Sequence, residues 1–157
     1  MKILLLGSGG REHALAWKLR QSPLCRALWV APGNAGTAEL GTNVSLDPND
    51  FPAVAALVQQ EGIDMLVVGP EEPLVRGIYD YFQSHFPHLP VIGPSQIGAQ
   101  LEGSKAFAKE FMLEMGIPTA AYREFTAATL QEGLDYILTQ TPPIVLKADG
   151  LAAGKGV

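Results

Sequence analysis

Cysteines, basic clusters and long apolar runs are all scarce in this sequence of 157 residues. The one cysteine, Cys25, excludes an internal disulfide and any metal site built from several cysteines, as is typical of a reducing compartment. The formal net charge is -5, and the 11 lysines and arginines are scattered rather than gathered in a tract. We therefore expect neither nucleic acid nor an anionic membrane surface as a partner.

The apolar runs are also too short for targeting or membrane insertion. The first run, residues 3–6, ends at glycines and then Arg11, which is too short for the apolar core of a signal peptide. No stretch approaches the roughly 18 apolar residues that a membrane helix needs. The sequence therefore predicts a cytoplasmic protein, and its 47% hydrophobic content is enough for a real core.

Short apolar strands alternate with helical segments over the first 100 residues. The predicted strands are Lys2–Leu6, Ala27–Ala31, Ile63–Val68 and Val91–Gly93. The predicted helices are Arg11–Gln21, with Leu15 and Leu19 on its apolar side, a helix capped by Asp50 and stopped at Gly62, and Leu74–His85. Four strands joined by crossovers predict an α/β fold, a Rossmann-like parallel sheet with helices on both faces, in a domain over residues 1–100.

The pattern changes after this point, and residues 101–157 read as the incomplete start of an α+β domain. The predicted elements are helices Gln96–Leu101 and Lys105–Met115, a strand Ala121–Phe125, a helix Leu130–Leu138 and a strand Ile144–Ala148. Thr129 and Glu132 have the spacing of a capping box for the last helix.

Four loops follow the predicted strands of the first domain and should meet at one edge of the sheet. They are Gly7–Gly10, Pro32–Thr37, Gly69–Pro73 and Gly93–Ser95. Ligands of such folds bind at the carboxyl ends of the strands, so the loops predict a pocket for a small polar ligand. NAD is disfavoured because Glu12 stands where the third glycine of the dinucleotide fingerprint belongs, and no acidic residue occurs between Glu12 and Glu39.

A further glycine-rich loop follows the last predicted strand. Gly150 and Gly154 enclose three residues, and Gly156 follows Lys155, so neither the spacing nor the hydroxyl residue of a Walker A loop is present. The loop instead suits a flap whose amides close on a polyphosphate. Lys147, on an apolar strand beside it, is costly to bury unless an anion meets it.

Five motifs stand in order along the chain: Gly7-Ser8-Gly9-Gly10-Arg11-Glu12-His13-Ala14, Pro32-Gly33-Asn34-Ala35-Gly36-Thr37, Val68-Gly69-Pro70-Glu71, Leu101-Glu102-Gly103-Ser104-Lys105, and Lys147-Ala148-Asp149-Gly150-Leu151-Ala152-Ala153-Gly154-Lys155-Gly156-Val157. Through them the whole chain resembles the phosphoribosylamine-glycine ligase family of the ATP-grasp superfamily. The resemblance implies a Rossmann-like pre-ATP-grasp domain followed by the beginning of the ATP-grasp domain.

The resemblance also implies a reaction. ATP, with Mg²⁺, would phosphorylate the glycine carboxylate, and the amine of 5-phosphoribosylamine would attack the glycyl phosphate to form glycinamide ribonucleotide in purine biosynthesis. By the family's pattern, the ATP-binding residues would be Lys105, Lys147, Gly150, Gly154, Lys155 and Gly156. The residues on the phosphoribosylamine side would be Gly9, Gly10, Arg11, Asn34, Gly36 and Glu71. No residue is assigned a catalytic role.

Family members continue well beyond Val157, and their magnesium ligands lie in that part, so we expect no metal ligand in this chain. On this comparison the sequence looks like an N-terminal fragment that would not turn over alone. Two alternatives stay open: a non-catalytic module that binds a nucleotide or sugar phosphate, and a related ATP-grasp enzyme that acts on another purine intermediate or on bicarbonate.

Overall fold

The computed structural model of the chain describes residues 1–152. The chain folds into two compact units. Unit 1 comprises Met1–Ala99, and unit 2 begins at Gln100. None of the helices in the described residues is both long and apolar enough to cross a membrane.

The first unit alternates strands and helices as the sequence predicts. Its elements are β1 (Lys2–Gly7), α1 (Gly10–Arg20), β2 (Ala27–Pro32), α2 (Ala35–Ala38), β3 (Thr42–Asn43), α3 (Phe51–Glu61), β4 (Met65–Val68), α4 (Glu71–Val75), α5 (Ile78–His85) and β5 (Val91–Ile92). Helix α6 (Gln96–Gly103) leads into unit 2, which continues with α7 (Lys105–Glu114), a 3₁₀ turn (Ala127–Thr129) and α8 (Leu130–Leu138).

The five strands form one parallel sheet in the order β3-β2-β1-β4-β5. The α/β class and the parallel sheet are therefore confirmed, but the predicted count of four strands is wrong. The sequence analysis missed β3, which pairs Thr42 with Trp29 and Asn43 with Val30. Two residues are too few to produce a readable apolar pattern, and only pairing with β2 defines the strand.

The core lies on both faces of the sheet, as expected for parallel strands that are covered by helices. Successive residues of β1 point to opposite faces. Leu4 and Leu6 pack with α3, α4 and α5, whereas Ile3 and Leu5 pack with α1 and β2. The order of the strands and their burial on both faces place the carboxyl ends of β1, β2 and β4 side by side.

Helix α3 has the ends that the sequence predicts. The side chain of Asp50 accepts a hydrogen bond from the amide of Ala53, and Gly62 ends the helix in the left-handed conformation with φ of 62°. The predicted helix Leu74–His85 is instead two helices, because Gly77 adopts φ of 94° between α4 and α5. Glycine takes such a φ at little cost, and it turns the chain there.

Helix α1 packs through a different side from the one predicted. Glu12 and Ala16, one turn apart, are its buried residues, whereas Leu15 is 38% exposed. Leu19 is half-buried against the core. The apolar side of this helix therefore could not be read from its leucines, because its buried side carries a carboxylate.

Unit 2 departs from the predictions in two respects. No strand forms over residues 121–125 or 144–148 within the described chain, because neither segment has a hydrogen-bonded neighbour there. The predicted capping box of Thr129 with Glu132 is also wrong. The amide of Thr126 instead donates a hydrogen bond to the hydroxyl of Thr129 at 2.8 Å, and this contact caps the 3₁₀ turn before α8.

Candidate functional site

A cleft of about 260 Å³ opens at the carboxyl ends of β1, β2 and β4. It is lined by Gly7, Ser8, Gly9, Glu12, Pro32, Pro48, Asn49, Pro70, Glu72 and Pro73. Three of the four predicted loops contribute to this lining. The loop at Gly93–Ser95 does not line the cleft, because Gly93 packs against the side chain of Leu74 at the far edge of the sheet.

The fourth contribution comes instead from Pro48 and Asn49, in the loop between β3 and α3. This segment reaches the cleft because β3 is parallel to its neighbours and therefore also ends at this edge. The Asp47 side chain fixes the loop by accepting a hydrogen bond from the Asn49 amide at 2.9 Å. The Oδ1 atom of Asn49 is buried and accepts no hydrogen bond in the described structure.

The side chain of Glu12 lies between the first and third loops. It is 4% exposed and is the one buried charged residue of the described chain. Its Oε2 accepts a hydrogen bond from the Gly9 amide at 2.7 Å, which caps the start of α1. A Cβ atom at Gly7 or Gly69 would lie within 2.6 Å of the Glu12 side chain, so a larger residue at either position would collide with Glu12 unless its side chain moved.

Arg11 and Glu71 join the same two loops from outside the cleft. Arg11 Nη1 donates to Glu71 Oε1 at 2.9 Å, and Arg11 Nε lies 3.3 Å from Glu12 Oε1. The hydrogen bond from Arg11 and the backbone amide of Glu71 lower the pKa of Glu71, and the same pair raises the pKa of Arg11. Both predicted substrate residues are thus charged and lie side by side.

Asn34 fastens the second loop to the first. Its Nδ2 donates to the carbonyl oxygen of Ser8 at 2.8 Å, and its Oδ1 accepts from the amide of Thr37 at 3.0 Å. Thr37 is fully buried, and its hydroxyl donates to Oδ1 of Asn43 at 2.8 Å. Since the carboxamide of Asn34 is already bonded on both sides, its place in the site is that of a brace between loops.

The two remaining predicted glycines differ in their surroundings. A Cβ at Gly36 would lie 2.6 Å from the ring of His13, so the imidazole packs directly on this backbone. A Cβ at Gly10 would meet nothing within 4 Å, which leaves open space beside the first turn of α1. Backbone amides at such a helix start favour an anion.

In unit 2, the carboxylate of Asp149 docks on the start of α7. Its Oδ1 accepts from the amide of Lys105 at 2.6 Å and from that of Ala106 at 3.3 Å. The Nζ of Lys105 donates to the carbonyl oxygen of Gly150 at 2.7 Å. Desolvation raises the pKa of Asp149, but these amides, the Gly150 amide and the Ser104 hydroxyl outweigh it and lower the pKa. Two predicted ATP-binding residues, Lys105 and Gly150, are therefore in direct contact.

Lys147 is exposed. It was predicted to lie on a strand, but the segment around it forms none. Gly154, Lys155 and Gly156, the other predicted ATP-binding residues, lie outside the described residues. No group of three or more histidine, cysteine, aspartate or glutamate side chains within residues 1–152 could hold a metal ion.

Sequence reasoning missed Glu12 and the Pro48–Asn49 segment. A signal for Glu12 was available, because Gly9 followed three residues later by glutamate has the spacing of a capping box. No comparable signal exists for Asn49, whose position depends on the unrecognised strand β3 and on the path of the chain across the sheet.

Comparison with known families and proteins agrees with this architecture. The phosphoribosylglycinamide synthetase N domain matches residues 1–102, and the ATP-grasp (A) domain of the same family matches residues 103–157. A phosphoribosylamine-glycine ligase of Agrobacterium fabrum is 54% identical over 157 residues, and that of Escherichia coli K12 is 52% identical over 159. Each alignment covers 100% of this chain, which spans 36% of the length of these relatives.

Solved structures give the same result. Phosphoribosylamine-glycine ligase from Thermotoga maritima matches with a TM-score of 0.69 and 34% identity, covering 99% of this chain and 35% of its own. N5-carboxyaminoimidazole ribonucleotide synthetase from Thermus thermophilus matches with a TM-score of 0.63 at 22% identity, covering 86% of this chain and 36% of its own, which shows a shared fold alone. With its N domain matched over 102 residues and its sequence half identical to named ligases, the chain belongs to the phosphoribosylglycinamide synthetase family.

Proposed function

We propose that this chain supplies the sugar-phosphate site and the first part of the ATP site of a ligase that joins glycine to 5-phosphoribosylamine. The observation that carries the proposal is the match of the entire chain, at 54% identity, to a phosphoribosylamine-glycine ligase. The product would be glycinamide ribonucleotide, formed through a glycyl phosphate in purine biosynthesis. A cytoplasmic location is part of the proposal, and the free Cys25 is consistent with a reducing compartment.

The first unit supports a sugar-phosphate site at the carboxyl edge of its sheet. The cleft of about 260 Å³ suits a small polar molecule, and the open space beside Gly10 leaves room for an anion at the start of α1. Arg11 supplies a positive charge next to that space. We propose that Gly9, Gly10 and Arg11 contact the ligand and that Glu71 holds the Arg11 side chain in position. Asn34 and Gly36 would maintain the shape of the loops.

The second unit supports an ATP site through the chemistry of its donors. Two backbone amides at the start of α7 already donate hydrogen bonds to one anion, the carboxylate of Asp149. Lys105 and Lys147 would hold phosphate oxygens, and residues 150–156 would form the flap; Gly154, Lys155 and Gly156 enter only through the family's pattern. When bound, ATP with Mg²⁺ supplies the phosphoryl group that activates the glycine carboxylate.

A chimera tests the reaction. This chain would replace the matching segment of the Escherichia coli K12 relative, and ADP release would be followed with phosphoribosylamine generated in place. We expect release that requires glycine and phosphoribosylamine together. Release without glycine, or release only with another purine intermediate or with bicarbonate, would support the related ATP-grasp enzyme instead.

A matched pair of lysine variants tests the ATP site in the same chimera. Lys147→Ala should lower ADP formation by roughly tenfold or more, because a phosphate-binding charge is lost. The melting temperature should hardly change, since the side chain is exposed. Lys18→Ala, at an exposed lysine of α1 whose side chain donates to Gln21, should leave the rate unchanged. Equal rates for the two variants would remove Lys147 from the site.

A further inference from the structure

The charges around the cleft of unit 1 are distributed unevenly. Two carboxylates, Glu12 and Glu72, are among its lining residues, and none of the described lysines or arginines lines it. The nearby cation, Arg11, is 58% exposed and pairs with Glu71. A phosphate inside the cleft would therefore face negative charge, whereas one beside Gly10 and Arg11 would face amides and a guanidinium.

Glu12 has hydrogen-bonding capacity that no other group within residues 1–152 uses. A carboxylate offers about four acceptor sites. Gly9 fills one of them at 2.7 Å, and Arg11 Nε approaches another only to 3.3 Å, which is long for a charge-assisted hydrogen bond. Burying a charge is expensive unless its partners are good. A buried carboxylate in the wall of a cleft can therefore accept a hydrogen bond from a donor group of a ligand.

Asn49 adds a second, independent indication on the same cleft. Its Oδ1 is buried without a donor among the described residues, an arrangement that ordinarily destabilises the folded protein. The backbone of Asn49 is fixed by Asp47, and the next residue, Asp50, caps α3. If the carboxamide of Asn49 turned toward the cleft, its oxygen could accept a hydrogen bond from a ligand donor there.

We propose that Glu12, assisted by Asn49, accepts hydrogen bonds from the hydroxyl or amine groups of the sugar phosphate and so determines which way round the ligand lies. The donor-rich sugar end enters the cleft, and the phosphate stays outside beside Gly10 and Arg11. This inference rests on the proposed function, because it takes a phosphorylated sugar as the ligand. It adds a contact and an orientation to that function.

Glu12→Gln separates this role from a structural one. The glutamine carbonyl can still accept the Gly9 amide, so the start of α1 keeps its cap. The other oxygen becomes an NH₂ group, which cannot accept a hydrogen bond from the sugar and no longer repels an anion. We expect ribose 5-phosphate to bind the variant roughly tenfold more weakly, and inorganic phosphate to bind it as well as before or better.

The measurement is calorimetric titration of the 157-residue chain with ribose 5-phosphate and with inorganic phosphate, beside thermal unfolding of each variant. Glu61→Gln is the matched control, because Glu61 ends α3 beside Lys2 at the opposite edge of the sheet. This control should bind both probes like the unmodified chain. Asn49→Ala provides a second variant, and it should weaken binding of ribose 5-phosphate alone.

Each outcome decides a different point. If the unmodified chain does not bind ribose 5-phosphate, the proposed sugar-phosphate site fails and this inference fails with it. If the unmodified chain binds and Glu12→Gln binds ribose 5-phosphate equally well, only the inference is overturned. A parallel loss of both probes in Glu12→Gln would make Glu12 a purely structural residue. If Glu12→Gln does not fold, Asn49→Ala decides: selective loss of ribose 5-phosphate supports the inference, and unchanged binding overturns it.

Discussion

The two units of this chain bury their apolar side chains to very different extents. In unit 1, Leu4, Val54 and Phe82 are completely buried, on both faces of a paired sheet. In the described part of unit 2, residues 100–152, no large apolar residue is buried, and Leu138 is 85% exposed. Since buried apolar area supplies most of the free energy of folding, unit 1 holds most of the stability of the described chain.

The same contrast appears in how each unit builds its candidate site. The loops of unit 1 stand on strands that are hydrogen-bonded to neighbours, and Asn34 and Arg11 join these loops to one another. The contact between Asp149 and the start of α7 is instead made by exposed polar groups. A packed core therefore positions the candidate binding residues of unit 1, whereas a local polar contact positions those of unit 2.

The largest difference should come from truncating one apolar side chain in each unit. Phe82→Ala removes a fully buried ring and should lower the free energy of unfolding by about 3–5 kcal/mol. Leu138→Ala, at an exposed position, should change it by less than about 0.5 kcal/mol. Urea unfolding followed by tryptophan fluorescence measures the stability of unit 1 in both variants, because the two tryptophans, Trp17 and Trp29, lie in that unit. Similar losses would show that the two units unfold together.

A smaller effect should follow from adding one methyl group at the wall of the cleft. Gly69→Ala places a Cβ 2.5 Å from Glu12 Oε1 and should destabilise unit 1 by about 1–3 kcal/mol. Gly10→Ala meets no atom within 4 Å and should leave the free energy of unfolding within about 0.5 kcal/mol, while weakening the binding of inorganic phosphate. An unchanged stability in Gly69→Ala would mean that Glu12 moves easily, which would weaken its proposed role.

In unit 2, acid should release the contact between Asp149 and α7. The folded-state pKa of Asp149 is depressed, so its stabilising contribution is present above the ordinary aspartate value and is lost as the pH falls through the lowered pKa. The amide resonances of Lys105 and Ala106 should shift together over that acid range. Asp149→Asn should abolish the shift at both amides. A shift that persists in this variant would have another origin.

The smallest effect is expected for the ion pair that joins two loops of unit 1. Arg11 and Glu71 are partly exposed, so a double-mutant cycle with Arg11→Met and Glu71→Gln should give a coupling of about 0.2–1 kcal/mol. The pKa of Glu71 is lowered, so the coupling is present above the ordinary glutamate pKa and disappears as the pH falls through the lowered value. Added salt should reduce it. A coupling of several kcal/mol would indicate that the pair is far less hydrated than its exposure implies.

The two ends of α3, which depend on neighbouring residues in sequence, were predicted correctly. Asp50 and Gly62 bound α3 as expected, because an aspartate cap and a left-handed glycine act within one helical turn. Strands β1, β2 and β4 were found through their continuous apolar runs. The two predicted strands of unit 2 failed although their sequences suit strands, because a strand exists only when a neighbour pairs with it.

The parallel α/β class, the loops after β1, β2 and β4, and the family could all be predicted from the sequence, since apolar runs and ordered motifs can be read residue by residue. The side chains that meet at the cleft could be identified from the folded chain alone. Glu12 is sixty residues or so from Pro70 along the chain, and Asn49 follows a two-residue strand that is defined by pairing alone. Contacts between distant segments depend on the order of the strands and on the path of each crossover, which no local pattern encodes.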